Sequence, residues 1–335
     1  MNRKMVWLAV VIGITAIVWM FWRDFDPAAF STVKFSPRMI AGILLAVCCM
    51  ACQNFGMTWR YRLLTHGFLT WPKAFRANII CEFTSAVTPS LIGGGGLIFL
   101  SLYKEGLNAG KSTAVMIASL FMDELFLCVS CLTVVLLVPP GTLFGDMALL
   151  TSGIKWMFFI VLGGIACWTA LLYTALFHKP QWVSAMLLGL FSLPFLRRWK
   201  EGVRKMTADL ETGSREMRKD GLRFLVRPFI ATAISWCCRY AVVNALLFAF
   251  GSPAGDQLLA YARQWVLWII AMITPTPGGS GMNEYMFKTY YKDFFPSVGL
   301  TIVVALIWRI ITYYSYLIAG ACIIPQWLKK TPSAR

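Results

Sequence analysis

Two interruptions of an otherwise apolar chain carry the residue types best suited to holding an anion. The first runs Thr88-Pro89-Ser90-Leu91-Ile92-Gly93-Gly94-Gly95-Gly96, and the second runs Thr274-Pro275-Thr276-Pro277-Gly278-Gly279-Ser280-Gly281. A broken helix leaves backbone N–H and C=O groups without intrahelical partners. The N-terminus of a half-helix at such a break carries partial positive charge and binds anions. Glycines at such a point leave the amides uncovered, so Gly93 to Gly96 and Gly278 to Gly281 suit a phosphate headgroup. Close helix packing through small residues is the simpler explanation of any one break. Two breaks at matching places, each with proline, favour a transport-type site.

Ionisable side chains inside apolar stretches add to this set. Asp123 and Glu124 lie within one stretch, Arg239 and Arg309 within two others, Glu82 precedes the first break and Glu284 follows the second. Intramembrane charges are expensive and face a cavity or a partner. Arg309 has a planar fork that matches phosphate, which makes it the leading substrate contact. An Asp123–Arg309 or Glu284–Arg309 ion pair is the structural alternative, weighed against headgroup or proton handling. The candidate substrate-binding set is therefore Thr88, Pro89, Gly93, Gly94, Asp123, Arg239, Pro277, Gly278, Gly279, Gly281, Glu284 and Arg309. On this reading Arg309→Ala abolishes transport while the chain still inserts.

Other chemistries find little support. All ten cysteines lie in apolar stretches, and the spaced pairs Cys49/Cys52 and Cys128/Cys131 have no histidine beside them. His66 and His178 fall in loops, so neither a metal site nor a disulfide framework is expected. No nucleophile–base arrangement or HExxH occurs, and the four-glycine run lacks the GK[ST] ending of an ATPase loop. No catalytic residue, cofactor or enzymatic activity is expected. Tyr285, Tyr290, Tyr291, Tyr313, Tyr314 and Tyr316 read mostly as interfacial anchors.

These residues need elements to hold them, and those elements belong in a bilayer. Of 335 residues, 58% are apolar and 14% charged, against about 25% charged in soluble domains. Apolar stretches of about 20 residues recur along the chain, each long enough to cross a bilayer. Six full spans are read at 5–22, 37–58, 112–138, 154–177, 225–250 and 298–322. The first ends at an aromatic belt, Trp19 to Trp22, and reads as a retained span rather than a cleaved signal. The interrupted stretches 74–102 and 259–290 read as re-entrant helical hairpins, since broken backbone survives in a membrane only when buried or lining a wet cavity.

The net charge of +16 sorts by loop. Arg60, Arg62, Lys73 and Arg76, the many basic residues of 178–224, and Lys329, Lys330 and Arg335 all fall on one side, whereas 139–153 and 251–262 have no Lys or Arg. That places both termini in the cytoplasm of a multi-pass protein of the cell (inner) membrane. Lys288 and Lys292 run against the rule, beside Asp293. Within the long loop, 181–196 is expected as an interfacial helix and 197–219 as a basic surface helix against anionic headgroups. Nucleic acid is not an expected partner; membrane lipid is, and a homo-oligomer is compatible with the pattern.

The fold class is thus an all-α polytopic membrane protein in one domain, 1–335. Repeat one (37–138) and repeat two (225–322) have the same order of elements in reversed direction, an inverted-topology repeat whose hairpin tips meet near the midplane.

The motifs also resemble a known family. Thr88-Pro89 with Gly93-Gly94, then Tyr103-Lys104-x-Gly106 and Gly110-Lys111, resemble the first signature of the lysylphosphatidylglycerol synthase/flippase transmembrane family. Pro277-Gly278-Gly279-x-Gly281-x-x-Glu284, with Arg309 and Gly320 beyond, resemble the second. Where many relatives place an arginine after the first hairpin, this chain has Asp123-Glu124. The resemblance implies translocation of an anionic or aminoacylated phospholipid, or of a polyprenyl-linked headgroup, between leaflets. It also implies that a chain ending at Arg335 lacks the aminoacyl-transferase domain and does not lysylate lipid. Two alternatives stand beside it. One is a membrane enzyme acting on a lipid-linked substrate, with Asp123, Glu124 and Glu284 as acid–base groups. The other is a non-transporting accessory subunit of envelope lipid biosynthesis.

Overall fold

The computed structural model describes residues 36–87, 95–144, 148–174, 177, 180–192, 200–219, 222–251, 256–274, 276 and 278–329. Among these residues the regular structure is entirely helical. The expected span 5–22 lies outside them.

The other expected spans are helices long and apolar enough to cross a bilayer. They are α1 (Pro37–Leu64), α4 (Ala109–Leu137), α6 (Ala148–Tyr173), α9 (Leu222–Phe250) and a composite of α12 (Val298–Arg309), a π-turn (Ile310–Tyr314) and α13 (Ser315–Lys329). Each interrupted stretch becomes two helices. The first is α2 (Trp71–Val87) and α3 (Gly95–Lys104), the second α10 (Gln257–Ile273) and α11 (Met282–Tyr291). A short α5 (Pro140–Phe144) follows α4, and α7 (Pro180–Leu190) and α8 (Lys200–Lys219) lie between α6 and α9.

Helix starts follow from local chemistry. Ser36, Asn108, Asp256 and Ser297 each accept a hydrogen bond from the backbone N–H three residues on, which satisfies one orphan donor at the heads of α1, α4, α10 and α12. Pro37 adds a pre-set φ at the start of α1. The ends of the spans differ more from expectation. The first interior span does not stop at residue 58: α1 runs to Leu64 and carries Arg60 into the protein, where it is 1% exposed. Charge ends a hydropathy window, but it does not end a helix when a partner waits across the interface. The basic surface helix expected at 197–219 has a protein partner, because α8 packs against α4.

The centre of the fold is the crossing of α1 with α9. Gly42 and Gly56 make it close. A Cβ on Gly42 would sit 2.5 Å from the Ala249 Cβ, and one on Gly56 would sit 2.3 Å from Ser235 Oγ. Small residues let backbones approach in this way, and approach of that kind drives association between helices in lipid.

Neighbour relations recur between the halves. The contacts α1–α2, α2–α3, α3–α4 and α1–α4 are matched by α9–α10, α10–α11, α11–α12 and α9–α12. The long arms α2 and α10 are both 17 residues, and the short arms α3 and α11 are both 10. At 1.5 Å per residue these are about 25 and 15 Å, short of a hydrocarbon core of about 30 Å. In both stretches the two arms contact each other.

Candidate functional site

The second interruption is closed by the protein's own charge. Gly278, Gly279 and Gly281 have φ of +56°, +66° and +87°, a left-handed path that costs a side chain about 1–2 kcal/mol per residue. That path sets Glu284 as the third residue of α11, where its Oε2 accepts the Gly281 N–H at 2.7 Å. The half-helix N-terminus therefore already holds an anion. Arg309 Nε donates to Glu284 Oε1 at 2.8 Å, and Arg309 Nη2 donates to Ser280 Oγ at 3.1 Å. The Tyr313 ring covers the guanidinium 3.8 Å from its centroid. Side-chain exposure is 4% for Arg309 and 0% for Glu284, so this pair is sealed. Of the two pairings open to Arg309, the structure forms the one with Glu284.

From there a polar chain reaches the first interrupted stretch. Ser280 Oγ donates to Tyr313 OH at 3.2 Å, and Tyr313 OH donates to the Ala86 carbonyl at 3.1 Å, in the last turn of α2. The orphan carbonyl of one broken helix is thus satisfied from the other half. The π-turn after Arg309 places Tyr313 for both tasks, the ring on Arg309 and the hydroxyl on Ala86. The fit is tight, since a Cβ on Gly278 would lie 2.3 Å from the Tyr313 ring and 2.9 Å from the Ala86 oxygen. A little further along, a Cβ on Gly320 would lie 2.2 Å from the Phe83 ring, where α13 packs on α2.

A second cluster lies where α1, α2, α9 and α13 meet. Arg239 Nη1 donates to both oxygens of Glu82 at 2.9 Å. Gln53 Nε2 donates to Glu82 Oε1 at 3.2 Å, and Ser235 Oγ donates to the Gln53 carbonyl at 3.0 Å. Tyr316 OH donates to Gln53 Oε1 and to Asn54 Oδ1, while Asn78 Nδ2 donates to Asn54 Oδ1 at 2.8 Å. The rings of Trp236 and Tyr316 lie 5.7 and 5.9 Å from the Arg239 guanidinium. Unlike the sealed pair, this one is partly exposed: side-chain exposure is 23% for Arg239 and 14% for Glu82. It also joins the halves, Glu82 from one and Arg239 from the other.

Asp123 is placed elsewhere than on Arg309. Its Oδ1 accepts from Arg60 and, at 2.7 Å, from Trp236 Nε1, and Arg60 also donates to Thr232 Oγ1 at 3.3 Å. Asp123 therefore ties α4 to α1 and α9.

The two interrupted stretches are also stapled at their mouths. Arg76 of α2 lies 3.0 Å from Glu105, just past the end of α3, and Lys73 lies 3.9 Å from it. Arg263 of α10 donates to the Tyr290 carbonyl at the end of α11 and, at 2.8 Å, to the Thr142 carbonyl. Each cation sits at a short arm's C-terminal end, where the helix dipole favours it.

Gly278, Gly279, Gly281, Glu284 and Arg309 are thus brought together, Arg239 forms a second centre with Glu82, and Asp123 a third with Arg60. Thr88, Pro89, Gly93, Gly94 and Pro277 lie outside the described residues. Gln53, Asn54, Asn78, Tyr316, Trp236 and Arg60 are partners that sequence reading left unassigned or placed elsewhere. A polar pair such as Gln53-Asn54 within an apolar span was the signal available for two of them. The tyrosines are not mainly anchors. Tyr291, Tyr313 and Tyr316 are buried, and their hydroxyls bond to Ala260 O, Ala86 O and Gln53. Buried carbonyls and amides need donors, which a lipid-facing ring would not meet. Among the described residues no group of three or more His, Cys, Asp or Glu side chains is placed to hold a metal.

Sequence comparison agrees in scope with this arrangement. A family model described as the lysylphosphatidylglycerol synthase TM region matches residues 6–320. A UPF0104 membrane protein of Archaeoglobus fulgidus is 24% identical over 340 residues, an alignment covering 98% of each chain.

Proposed function

This chain belongs to the lysylphosphatidylglycerol synthase TM-region family, and from that premise we propose that it moves a lipid headgroup between bilayer leaflets. The cargo class is an anionic or aminoacylated phospholipid, or a polyprenyl-linked headgroup, with its acyl chains left in lipid. The observation that carries this reading is the partly exposed Glu82–Arg239 pair, which bridges the halves beside the first interruption.

The chemistry follows from that pair. A phosphate competes with Glu82 for the fork of Arg239, because guanidinium binds both groups with the same two-donor geometry. Gln53, Asn54, Asn78 and Tyr316 supply neutral donors and acceptors for the rest of a headgroup. The amides at the head of α3 are a further anion site. Its third residue is Leu97, where α11 has the carboxylate of Glu284. In this reading Arg309 holds the second tip in shape and does not touch cargo. The matched arm lengths and matched neighbours support two re-entrant hairpins in an inverted repeat. Both termini and the basic helix α8 then face the cytoplasm and its anionic lipid.

Reconstitution tests the proposal. The full chain goes into liposomes with fluorescent phosphatidylglycerol, its aminoacylated form or a polyprenyl-phosphate sugar, and quencher accessibility reports transfer between leaflets. Movement of at least one lipid by the wild type, lost in a folded Arg239→Gln variant, supports it. Chemical conversion of the lipid instead points to an enzyme. No movement of any of the three leaves the accessory-subunit reading. Labelling of single cysteines beside Pro89 and Pro277 checks the hairpins: access from the same side of the membrane would overturn the inverted repeat.

A further inference from the structure

We propose that Glu124 is a proton-binding site inside the membrane. It is the sixteenth of the 29 residues of α4, close to the middle of a helix that can cross a bilayer. Its face of α4 is identified by its neighbours one turn away. Phe121 packs its ring 6.0 Å from Tyr173 and 5.8 Å from Phe177, and Cys128 Sγ lies 3.9 Å from Thr169 Oγ1. Residues three and four apart share a helix face, so Glu124 lies on the side of α4 that meets α6.

What singles it out is the company of the other carboxylates. Glu82 has Arg239, Asp123 has Arg60 and Glu284 has Arg309. Glu124 has no such cation among the described residues, and its Oε2 is buried without a hydrogen-bond partner. Arg60 of α1 is paired with Asp123, the residue next to Glu124 in the chain. On the helix face that Glu124 shares with Phe121 and Cys128, α6 presents Tyr173 and Thr169, neither of them cationic. From α9, Trp236 and Thr232 engage Asp123 and Arg60. The helices α8, with Lys200, Glu201, Arg204, Lys205, Glu211 and Arg215, and α3, with Lys104, also pack on α4, and among the described residues none of these side chains forms an ion pair with Glu124; its chain neighbour Asp123 is of like sign.

An unpaired carboxylate in hydrocarbon has no compensation for its lost hydration. Taking a proton from water removes the charge, and losing it restores the charge whenever the α4–α6 face is wetted. The group can therefore load and release a proton as the helices move. This inference does not depend on lipid translocation, and its test does not measure it.

A lipophilic carbodiimide reports directly, because it adds to protonated carboxyl groups in apolar surroundings. The full chain in liposomes is treated with dicyclohexylcarbodiimide, and the adduct is mapped by mass spectrometry. Glu124 is expected to carry the adduct while Glu82, Asp123 and Glu284 do not, and labelling is expected to fall as pH rises. Glu124→Gln is expected to fold, since the amide mimics the neutral acid, and to lose the label. An unlabelled Glu124 in the wild-type chain, or labelling spread equally over the four carboxylates, overturns the proposal. The wild-type map decides the matter even if the variant fails to fold.

Discussion

The two interrupted stretches share one plan and are finished differently. Both pair a 17-residue arm with a 10-residue arm, and both have an arginine on the long arm that holds the mouth of the short one. At the second, Glu284 caps the short arm and Arg309 neutralises it in a sealed site. At the first, the capping position holds Leu97, and the nearby carboxylate, Glu82, points to an arginine of the other half in a partly exposed site. One stretch thus finds the cation for its cap within its own half, on α12. The other is completed by Arg239 of the other half, the cation for which the proposed headgroup would compete with Glu82. A pair with no access serves shape, and a pair with access can serve exchange.

Breaking the sealed pair should have the largest effect. Arg309→Ala leaves Glu284 buried without its cation, a loss of about 3–5 kcal/mol for removing one partner of a buried pair. The expected outcome is low membrane yield and an early melt in detergent, rather than a folded chain that merely fails to transport. Replacing both members, Arg309→Met with Glu284→Gln, should recover much of the loss.

Gly278→Val comes next. The left-handed φ and the contact with Tyr313 and the Ala86 carbonyl together should cost about 2–4 kcal/mol. Thermal unfolding in detergent measures it, and an unchanged melt would show that the second tip accommodates a side chain.

Opening the partly exposed pair should be milder. Arg239→Gln is expected to lower stability by about 1–2 kcal/mol, between the values for exposed and sealed pairs. If it unfolds the chain as Arg309→Ala does, the contrast between the two sites fails. The exchange of both charges, Glu82→Arg with Arg239→Glu, sharpens the point, since it should restore stability but not lipid movement.

The smallest effect is expected at the mouths. Arg76→Gln leaves Glu105 with Lys73 at 3.9 Å, so a loss of about 0.5–1 kcal/mol is expected, read from the same melts.

Much of this architecture was legible in the amino-acid sequence. The apolar spans, the two proline–glycine breaks, the family and the Glu284–Arg309 alternative all follow from residues near one another in the chain or from summed hydropathy. A bilayer imposes that legibility, because every residue of a span must suit the same solvent. The tertiary structure alone decided which charge meets which. Arg60 and Asp123 are 63 positions apart, and Glu82 and Arg239 are 157 apart. Arg60 reads as a loop residue until α1 is seen to continue beneath it, and Asp123 reads as a partner for Arg309 until Arg60 takes it. Hydropathy is a local sum over about 20 residues. Ion pairing depends on how distant helices cross, and here that crossing is governed by close contacts at Gly42 and Gly56 that no local pattern specifies.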